Sequence, residues 1–235
     1  MGDERSSSKW QISKASAVFH VERPVDKQLE SKLIEGSGAL GCELTPEQAA
    51  KLLQFQSLLL DWNRKVNLTA ITAPLEVVEK HLIDSLAAAE LLVEPAEVID
   101  LGAGGGFPAI PLAIVRPQSR FVLVDAVGKK VGFLKAAIAS LGLGNCRAIH
   151  ARAEGSPAKE QLPVVDVAIC RAFMALPEWL RLAPAYVKPG GRVLAMLGPE
   201  AQRGTAGEGV SELSWKDYVL PFSGAKRGLA EFRRL

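Results

Sequence analysis

The chain has 235 residues, of which 48% are hydrophobic and 23% are charged, and its formal net charge is +2. A chain of this length can bury one substantial core, which favours a single main domain with a modest appendage. The near balance of charge excludes a protein that is basic throughout, and the lack of an apolar run of roughly 18 residues, with a polar start, predicts a cytoplasmic protein without a membrane partner.

The N-terminal part of the sequence predicts a tail followed by helices. Residues 1–38 are polar with little periodicity, and a Gly-Ser-Gly run beginning at Gly36 ends them, so we expect a flexible extension. The segment Thr45-Pro46-Glu47-Gln48 predicts a helix start with a capping box. An apolar stripe at helical spacing follows it, and a second helix is predicted to begin at Pro74. Residues 39–92 are therefore expected to form a helical segment before the main domain.

From Val98 onward, short β-type runs alternate with helical ones, which is typical of a parallel sheet with helices on both faces. The predicted strands are 98–101, 121–124, 146–150, 165–170 and 192–197, and the predicted helices are 108–115, 129–141 and 176–187. Residues 218–222 and 228–232 are expected to form a closing hairpin. For residues 93–235 the sequence thus predicts an α/β fold built on a doubly wound, mostly parallel sheet.

The three cysteines and one tryptophan are expected to lie in the hydrophobic core. Cys42, Cys146 and Cys170 are widely separated and show neither the CxxC spacing of a zinc site nor a disulfide framework. We expect small buried residues there and no metal. Trp62 lies on the apolar stripe, so we expect it in the core and not as a platform for a nucleobase.

A glycine-rich turn follows the first predicted strand, which ends at Asp100. The segment Gly102-Ala103-Gly104-Gly105-Gly106 leads through Phe107 into a helix, and such glycines let a ligand approach backbone amides at a helix N-terminus. A dinucleotide-binding loop would need Gly or Ala in place of Phe107, so a nicotinamide cofactor fits poorly. Asp125 follows Asp100 by about 25 residues, near the roughly 20-residue offset at which a carboxylate meets ribose hydroxyls. These features predict a cofactor site, and an ordinary turn with Asp125 as a helix cap is the alternative.

The spacing Asp-x-Gly-x-Gly-x-Gly resembles the first motif of class I S-adenosylmethionine (AdoMet) methyltransferases, which have a Rossmann-like fold. Four further segments sharpen the resemblance: 62–69, 81–85, 128–130 and 171–173. Together with 100–111 they resemble the RsmG (GidB) family, bacterial methyltransferases that act on guanine N7 in 16S rRNA. The resemblance extends from about residue 45 to residue 200.

The resemblance implies AdoMet as the cofactor and contacts to it from the strand ends, namely Gly102, Gly104, Phe107, Asp125, Ala126, Val127, Ala153, Glu154 and Arg171. It places Asp125 at the ribose, Ala153 and Glu154 at the adenine end, and Arg171 facing the sulfonium end and the substrate. The implied partner is 16S rRNA or the small ribosomal subunit. We expect a monomer.

Guanine N7 carries a lone pair and no proton, so it can attack the methyl group directly without a general base. Catalysis would then rest on alignment, which can contribute on the order of 7 to 11 kcal/mol. Arg171 and Asn67 are the candidate catalytic residues, holding the base or its phosphate. His81 and Asp84 have two interpretations, a polar cluster at the substrate mouth or a structural pair on a helix surface, and we favour the second.

The sequence departs from the family pattern at Ala103, at Ala109, at Ala126-Val127 and at Leu197, where the family usually has a lysine. We therefore expect one basic contact near the substrate to be missing. Candidate RNA contacts remain at Arg64, Lys65, Lys80, Lys129, Lys130, Arg147, Arg152, Arg171, Lys216, Lys226, Arg227, Arg233 and Arg234. Two alternatives stay open: a small-molecule methyltransferase, and a nonenzymatic AdoMet-fold assembly factor, which only Leu197 favours.

Overall fold

The computed structural model describes residues 26–201 and 209–235. Helix α1 spans Lys27–Ala39 and begins at the cap Asp26, whose carboxylate accepts hydrogen bonds from the next backbone amides. Gly36 is buried in this helix, where an added Cβ would lie 2.4 Å from Cδ1 of Ile83. The expectation of a flexible joint at Gly36 is therefore wrong, because this glycine permits close packing of the helix. The predicted extension is helical from residue 27, and residues 1–25 lie outside the described part.

Helix α2 spans Pro46–Asn63 and starts as the sequence predicts. Thr45 Oγ1 accepts from the amide of Gln48 at 3.2 Å, and the Gln48 side chain accepts from the amide of Thr45 at 2.9 Å. The helix buries Leu52, Phe55 and Leu59. The apolar stripe therefore faces the core.

The second predicted helix begins at Pro74 but is not regular. Helix α3 (Pro74–Val77) continues into a π-helical segment, Val78–Ile83, and then into α4 (Asp84–Leu86), and a 3₁₀ turn follows at Ala89–Leu91. π-Helical turns are rare and occur frequently at functional sites. This one carries His81 and is followed directly by Asp84.

A seven-stranded sheet forms the centre of the molecule, in the order β3-β2-β1-β4-β5-β7-β6. Its strands are β1 (Glu97–Leu101), β2 (Arg120–Asp125), β3 (Cys146–His150), β4 (Val165–Arg171), β5 (Val187–Leu197), β6 (Val210–Val219) and β7 (Lys226–Arg234). Strands β1 to β5 are parallel, whereas β7 runs antiparallel to both of its neighbours. This confirms the predicted α/β fold with its mostly parallel sheet and closing hairpin.

Helices and apolar layers cover both faces of the sheet. The remaining helices are α5 (Ala109–Val115), α6 (Gly128–Ser140), α7 (Pro157–Glu160) and α8 (Leu176–Leu182), and the 3₁₀ turn Ala183–Tyr186 follows α8. One layer packs α1, α2, α5 and α6 on the sheet, and the other packs α8 and its 3₁₀ turn on the opposite face. The three cysteines are buried and Trp62 packs against the core, as predicted.

Two strand boundaries differ from the prediction. Strand β5 starts at Val187 and not at Arg192. Pro189 and the two glycines after it are residues typical of a turn, but in the structure they lie within the strand. Strand β6 starts at Val210, and residues 220–222 belong to the connection to β7. None of the helices in the described ranges is long and apolar enough to cross a membrane.

Candidate active site

A cavity of about 440 Å³ opens beside the carboxyl ends of β1, β4 and β5, where the strand order reverses. Ligands of open α/β sheets bind at such a switch point. Residues that line it include Leu68, Thr69, Lys80, His81, Asp84, Gly102, Gly104, Phe107, Lys130, Arg171, Leu197, Tyr218 and Arg227. The sequence-predicted Gly102, Gly104, Phe107 and Arg171 thus meet in one place.

The glycine-rich turn is shaped by positive φ angles and by Asp125. Gly102, Gly104 and Gly106 have φ values of +75°, +55° and +88°, in the left-handed region that favours glycine. Asp125, at the end of β2, accepts from the amide of Gly104 at 2.9 Å and from the amide of Val127 at 2.8 Å. The carboxylate therefore ties the turn to the neighbouring strand.

Asp100 lies beneath this turn and is almost completely buried. Its Oδ2 accepts from the amide of Ala109 at 3.4 Å, whereas Oδ1 has no hydrogen-bond partner among the described residues. Burial raises the pKa of Asp100 to about 8, although the Ala109 amide and Arg171 oppose this shift. The carboxyl group is thus mainly protonated at neutral pH.

Arg171, the last residue of β4, is held by the π-helical segment. Its Nη1 donates to Asp84 Oδ2 at 3.1 Å and to the carbonyl of Lys80 at 3.0 Å, and Nη2 lies 3.0 Å from His81 Nδ1. The guanidinium carbon also lies 4.9 Å from the ring centroid of Phe107. Arg171 is therefore fixed from three sides.

His81 must be neutral in this arrangement. His81 Nδ1 lies 3.0 Å from Arg171 Nη2 and 3.1 Å from the carbonyl of Lys80; because a guanidinium can only donate, we infer that Nδ1 accepts from Arg171 and that the proton is on Nε2, 2.7 Å from Thr69 Oγ1. Burial and then the charge of Arg171 lower the pKa of His81 to about 3. The imidazole also stacks on Phe107 with ring centroids 4.7 Å apart.

Asp84 connects the π-helical segment to the C-terminal hairpin. It is 4% exposed, and its Oδ1 accepts from the Tyr218 hydroxyl at 2.8 Å and lies 3.5 Å from Nε of Arg227. The favoured interpretation of His81 and Asp84 as a surface pair is therefore wrong. It failed because β6 and β7 cover that face of the helix, a contact that local spacing does not reveal.

Tyr218 and Arg227 are functional-site candidates that the sequence did not single out for the cavity. The only signal for Arg227 was its basic charge within the predicted hairpin. Its neighbour Gly228 pairs with Leu197 across β5 and β7, so Arg227 lies next to the position of the usual family lysine. Arg227 thus brings a cation to the cavity that Leu197 lines, while position 197 itself lacks the family lysine, as the sequence shows.

The other predicted cofactor-binding residues, at the ends of β2 and β3, do not line this cavity. Ala126 and Val127 follow Asp125 at the end of β2, and the chain after β3 leads to Ala153 and Glu154. The amide of Ala151 donates to the carbonyl of Asp125 at 3.2 Å, so the two strand ends adjoin. Of these segments, the end of β2 lies beside the glycine turn through Asp125, and Ala153 and Glu154 follow Ala151 along the chain.

Asn67 is exposed and does not line the cavity, although its neighbours Leu68 and Thr69 do. Asn63 fixes this turn, because its side chain accepts from the amides of Leu68 and Thr69 at 2.8 and 3.0 Å. Asn67 is thus held at the rim of the cavity and not inside it.

The candidate RNA contacts separate into groups. Lys80, Lys130, Arg171 and Arg227 line the cavity, while Arg233 lines a different cavity at the amino ends of the parallel strands. Arg234 donates to the carbonyl of Val187, also far from the glycine turn. The hairpin residues Arg233 and Arg234 therefore do not belong to the same surface as the four cations of the cavity.

The sheet order, the switch point and the glycine-rich turn define a class I methyltransferase fold. A solved SAM-dependent methyltransferase from Aquifex aeolicus shares this fold, with a TM-score of 0.51 and 14% identity, covering 68% of this chain and 93% of that one. Among the described residues, no group of three or more His, Cys, Asp and Glu side chains could hold a metal ion.

The chain belongs to the rRNA small subunit methyltransferase G (GidB) family, whose model matches residues 48–221. Ribosomal RNA small subunit methyltransferase G of Myxococcus xanthus is 51% identical over 212 residues, covering 88% of this chain and 98% of that protein. The protein of the same name from an Anaeromyxobacter species is 41% identical over 214 residues, covering 89% and 99%. The family resemblance predicted from the sequence is confirmed.

Proposed function

We propose that the protein transfers the methyl group of AdoMet to N7 of a guanine in 16S rRNA. The observation that carries this proposal is the cavity at the switch point, where the glycine turn, Arg171 and three further cations surround one space. Membership of an rRNA methyltransferase family supports the same substrate class.

The residues present fit AdoMet. The left-handed glycines leave bare backbone beside the cavity, and the unpaired Oδ1 of Asp100 is an orphaned buried polar atom beneath the turn. We assign Gly102, Gly104 and Phe107 to the methionine end. Asp125 would bind the ribose, with Ala126, Val127, Ala153 and Glu154 near the adenine. Bound AdoMet would supply an electrophilic methyl group on a sulfonium.

The side chains of the site favour a reaction without a general base. His81 is neutral and its Nδ1 accepts from Arg171, while Asp84 is engaged by Arg171, Tyr218 and Arg227. Neither group is available to remove a proton, and guanine N7 needs no deprotonation. The role of these residues is to hold Arg171, which would orient the guanine or its phosphate together with Asn67 at the rim.

Methyl transfer from radiolabelled AdoMet tests the function directly. Purified small ribosomal subunits and naked 16S rRNA, both from a strain that lacks the enzyme, would be incubated with the protein, and the labelled nucleotide would be mapped. We expect N7-methylguanine at one position of the small-subunit RNA. Label in a small molecule, or RNA binding without transfer of label, would reject the proposal in favour of the corresponding alternative.

A further inference from the structure

The loop that joins β3 to α7 is held by two side chains from outside it. Glu160 Oε1 accepts from the backbone amides of Glu154 and Ser156, each at 2.9 Å. The amide of the residue between them, Gly155, donates to the hydroxyl of Tyr186 at 2.8 Å. Three consecutive amides are therefore bound by one carboxylate and one phenol.

The two side chains also bind each other. The Tyr186 hydroxyl donates to Glu160 Oε2. Each of the two side chains is therefore hydrogen-bonded both to the loop and to the other side chain. The Tyr186 residue is completely buried, on the 3₁₀ turn that leads into β5, and Glu160 ends α7. Burial and Glu160 raise the pKa of Tyr186 to about 12, so the phenol keeps its proton throughout the neutral range.

We propose that Glu160 and Tyr186 are positioning residues that preorganise the adenine end of the cofactor site. The inference rests on the proposed AdoMet site, because the loop they hold carries Ala153 and Glu154. Ordering a loop before the ligand arrives removes an entropy cost from binding. The amides of 154–156 are already occupied, so in this proposal other groups of the segment would meet the adenine, and the pair fixes where the segment lies.

A preorganising role and a purely stabilising role predict different effects of mutation. Loss of a residue that only stabilises the fold lowers the melting temperature and leaves the ligand affinity of the folded protein unaltered. Loss of a preorganising pair weakens binding of every ligand that carries the adenosine part, whether or not a methionine part is present. The rate of methyl transfer at saturation should not change, because the reacting atoms lie at the other end of the cofactor.

The test is calorimetric binding of AdoMet, S-adenosylhomocysteine and adenosine to the full chain and its variants. Tyr186→Phe keeps the buried ring and removes the hydroxyl. We expect its Kd to rise about tenfold for all three ligands, the equivalent of about 1.4 kcal/mol, with kcat unchanged. Glu160→Gln keeps the acceptor oxygen for the amides and should weaken binding less than Glu160→Ala.

Ser119→Ala is the matched control. Ser119 is fully buried and accepts from the amide of Ala96 at 3.2 Å, at the amino ends of the strands. It should lower the melting temperature without altering any Kd. An unchanged Kd in Tyr186→Phe and Glu160→Ala, with wild-type protein that binds AdoMet, would overturn this inference alone. Failure of the wild type to bind AdoMet would overturn the proposed function together with it.

Discussion

The phenyl ring of Phe173 lies directly against Gly102, where β1 enters the glycine-rich turn. A Cβ added at Gly102 would lie 2.1 Å from Cδ2 of that ring. Gly102 also has a φ of +75°, and Ala172, which precedes Phe173, has a φ of +51°. Glycine is thus required at this position by packing as well as by backbone conformation, independently of any ligand.

We expect Gly102→Ala to destabilise the protein more than Gly142→Ala. Both glycines have positive φ, +75° and +62°, so each alanine costs about 1 to 2 kcal/mol in backbone strain. Only Gly102 adds a clash, because nothing lies within 4 Å of a Cβ at Gly142. The free energy of unfolding in urea measures the difference.

Phe173→Ala provides the control for this clash. In the Gly102→Ala background it should recover the additional loss but not the strain shared with Gly142→Ala. Equal losses in Gly102→Ala and Gly142→Ala would mean that the ring gives way without cost, and the close contact would then not be the reason for the glycine.

Substitution of Arg171 is expected to affect stability as well as activity. Arg171→Ala would abolish the proposed substrate contact and leave Asp84, which is 4% exposed, without its main partner. Removing one member of a buried ion pair costs about 3 to 5 kcal/mol. Tyr218 and Arg227 still face Asp84, so the loss should fall at the lower end of that range. Urea unfolding and single-turnover methyl transfer measure the two effects.

A double variant separates these effects. Arg171→Ala combined with Asp84→Asn removes the buried carboxylate that has lost Arg171, so stability should partly return while methyl transfer stays low. Recovery of activity together with stability would show that Arg171 acts only through the fold.

The structural elements that depend on short-range sequence patterns could be predicted from the sequence. The capping box at Thr45, the strand, turn and helix around Gly102, and the hairpin were all predicted because short-range spacing determines them. The role of Asp84 was missed because its partner Tyr218 is 134 residues away in sequence. The network at Glu160 and Tyr186 was missed for the same reason, and no periodicity marks the π-helical segment that presents His81.

The stability of the protein should fall as pH rises from 6.5 to 8, because of Asp100. Its pKa is about 8 in the folded protein and 3.8 ordinarily, so between these values the folded state holds a proton that the unfolded chain has released. The contribution of Asp100 is fully present below its ordinary pKa and is lost as pH rises through 8. His81 acts in the opposite direction, because the unfolded chain releases its His81 proton as pH rises through 6.5, so this effect is confined to the lower edge of the window.

Asp100→Asn provides the comparison, because an amide does not titrate. As pH rises through this window, the wild type should lose up to about 1.4 kcal/mol of unfolding free energy per pH unit relative to the variant. Parallel pH curves for the two proteins would show that Asp100 is ionised in the folded state at neutral pH.

The cations of the cavity should bind RNA phosphate, and Lys130 tests this with the least disturbance. Arg171 and Arg227 both face buried Asp84, so their removal alters the fold, whereas Lys130 lies on the first turn of α6 at the edge of the cavity. Lys130→Ala should weaken binding of 16S rRNA fragments. It should also make the slope of log K against log salt shallower by about 0.7 to 0.9, the contribution of one phosphate contact.

Lys188→Ala is the matched control for Lys130→Ala. Lys188 pairs with Asp166 at 2.8 Å and with Glu97 at 3.6 Å, at the amino ends of the strands and away from the glycine turn. Its removal changes the net charge by the same amount, so it corrects for the general attraction between the protein and RNA. If both variants reduce affinity and salt slope equally, the RNA responds to total charge and not to the cavity, and the proposed substrate face is wrong.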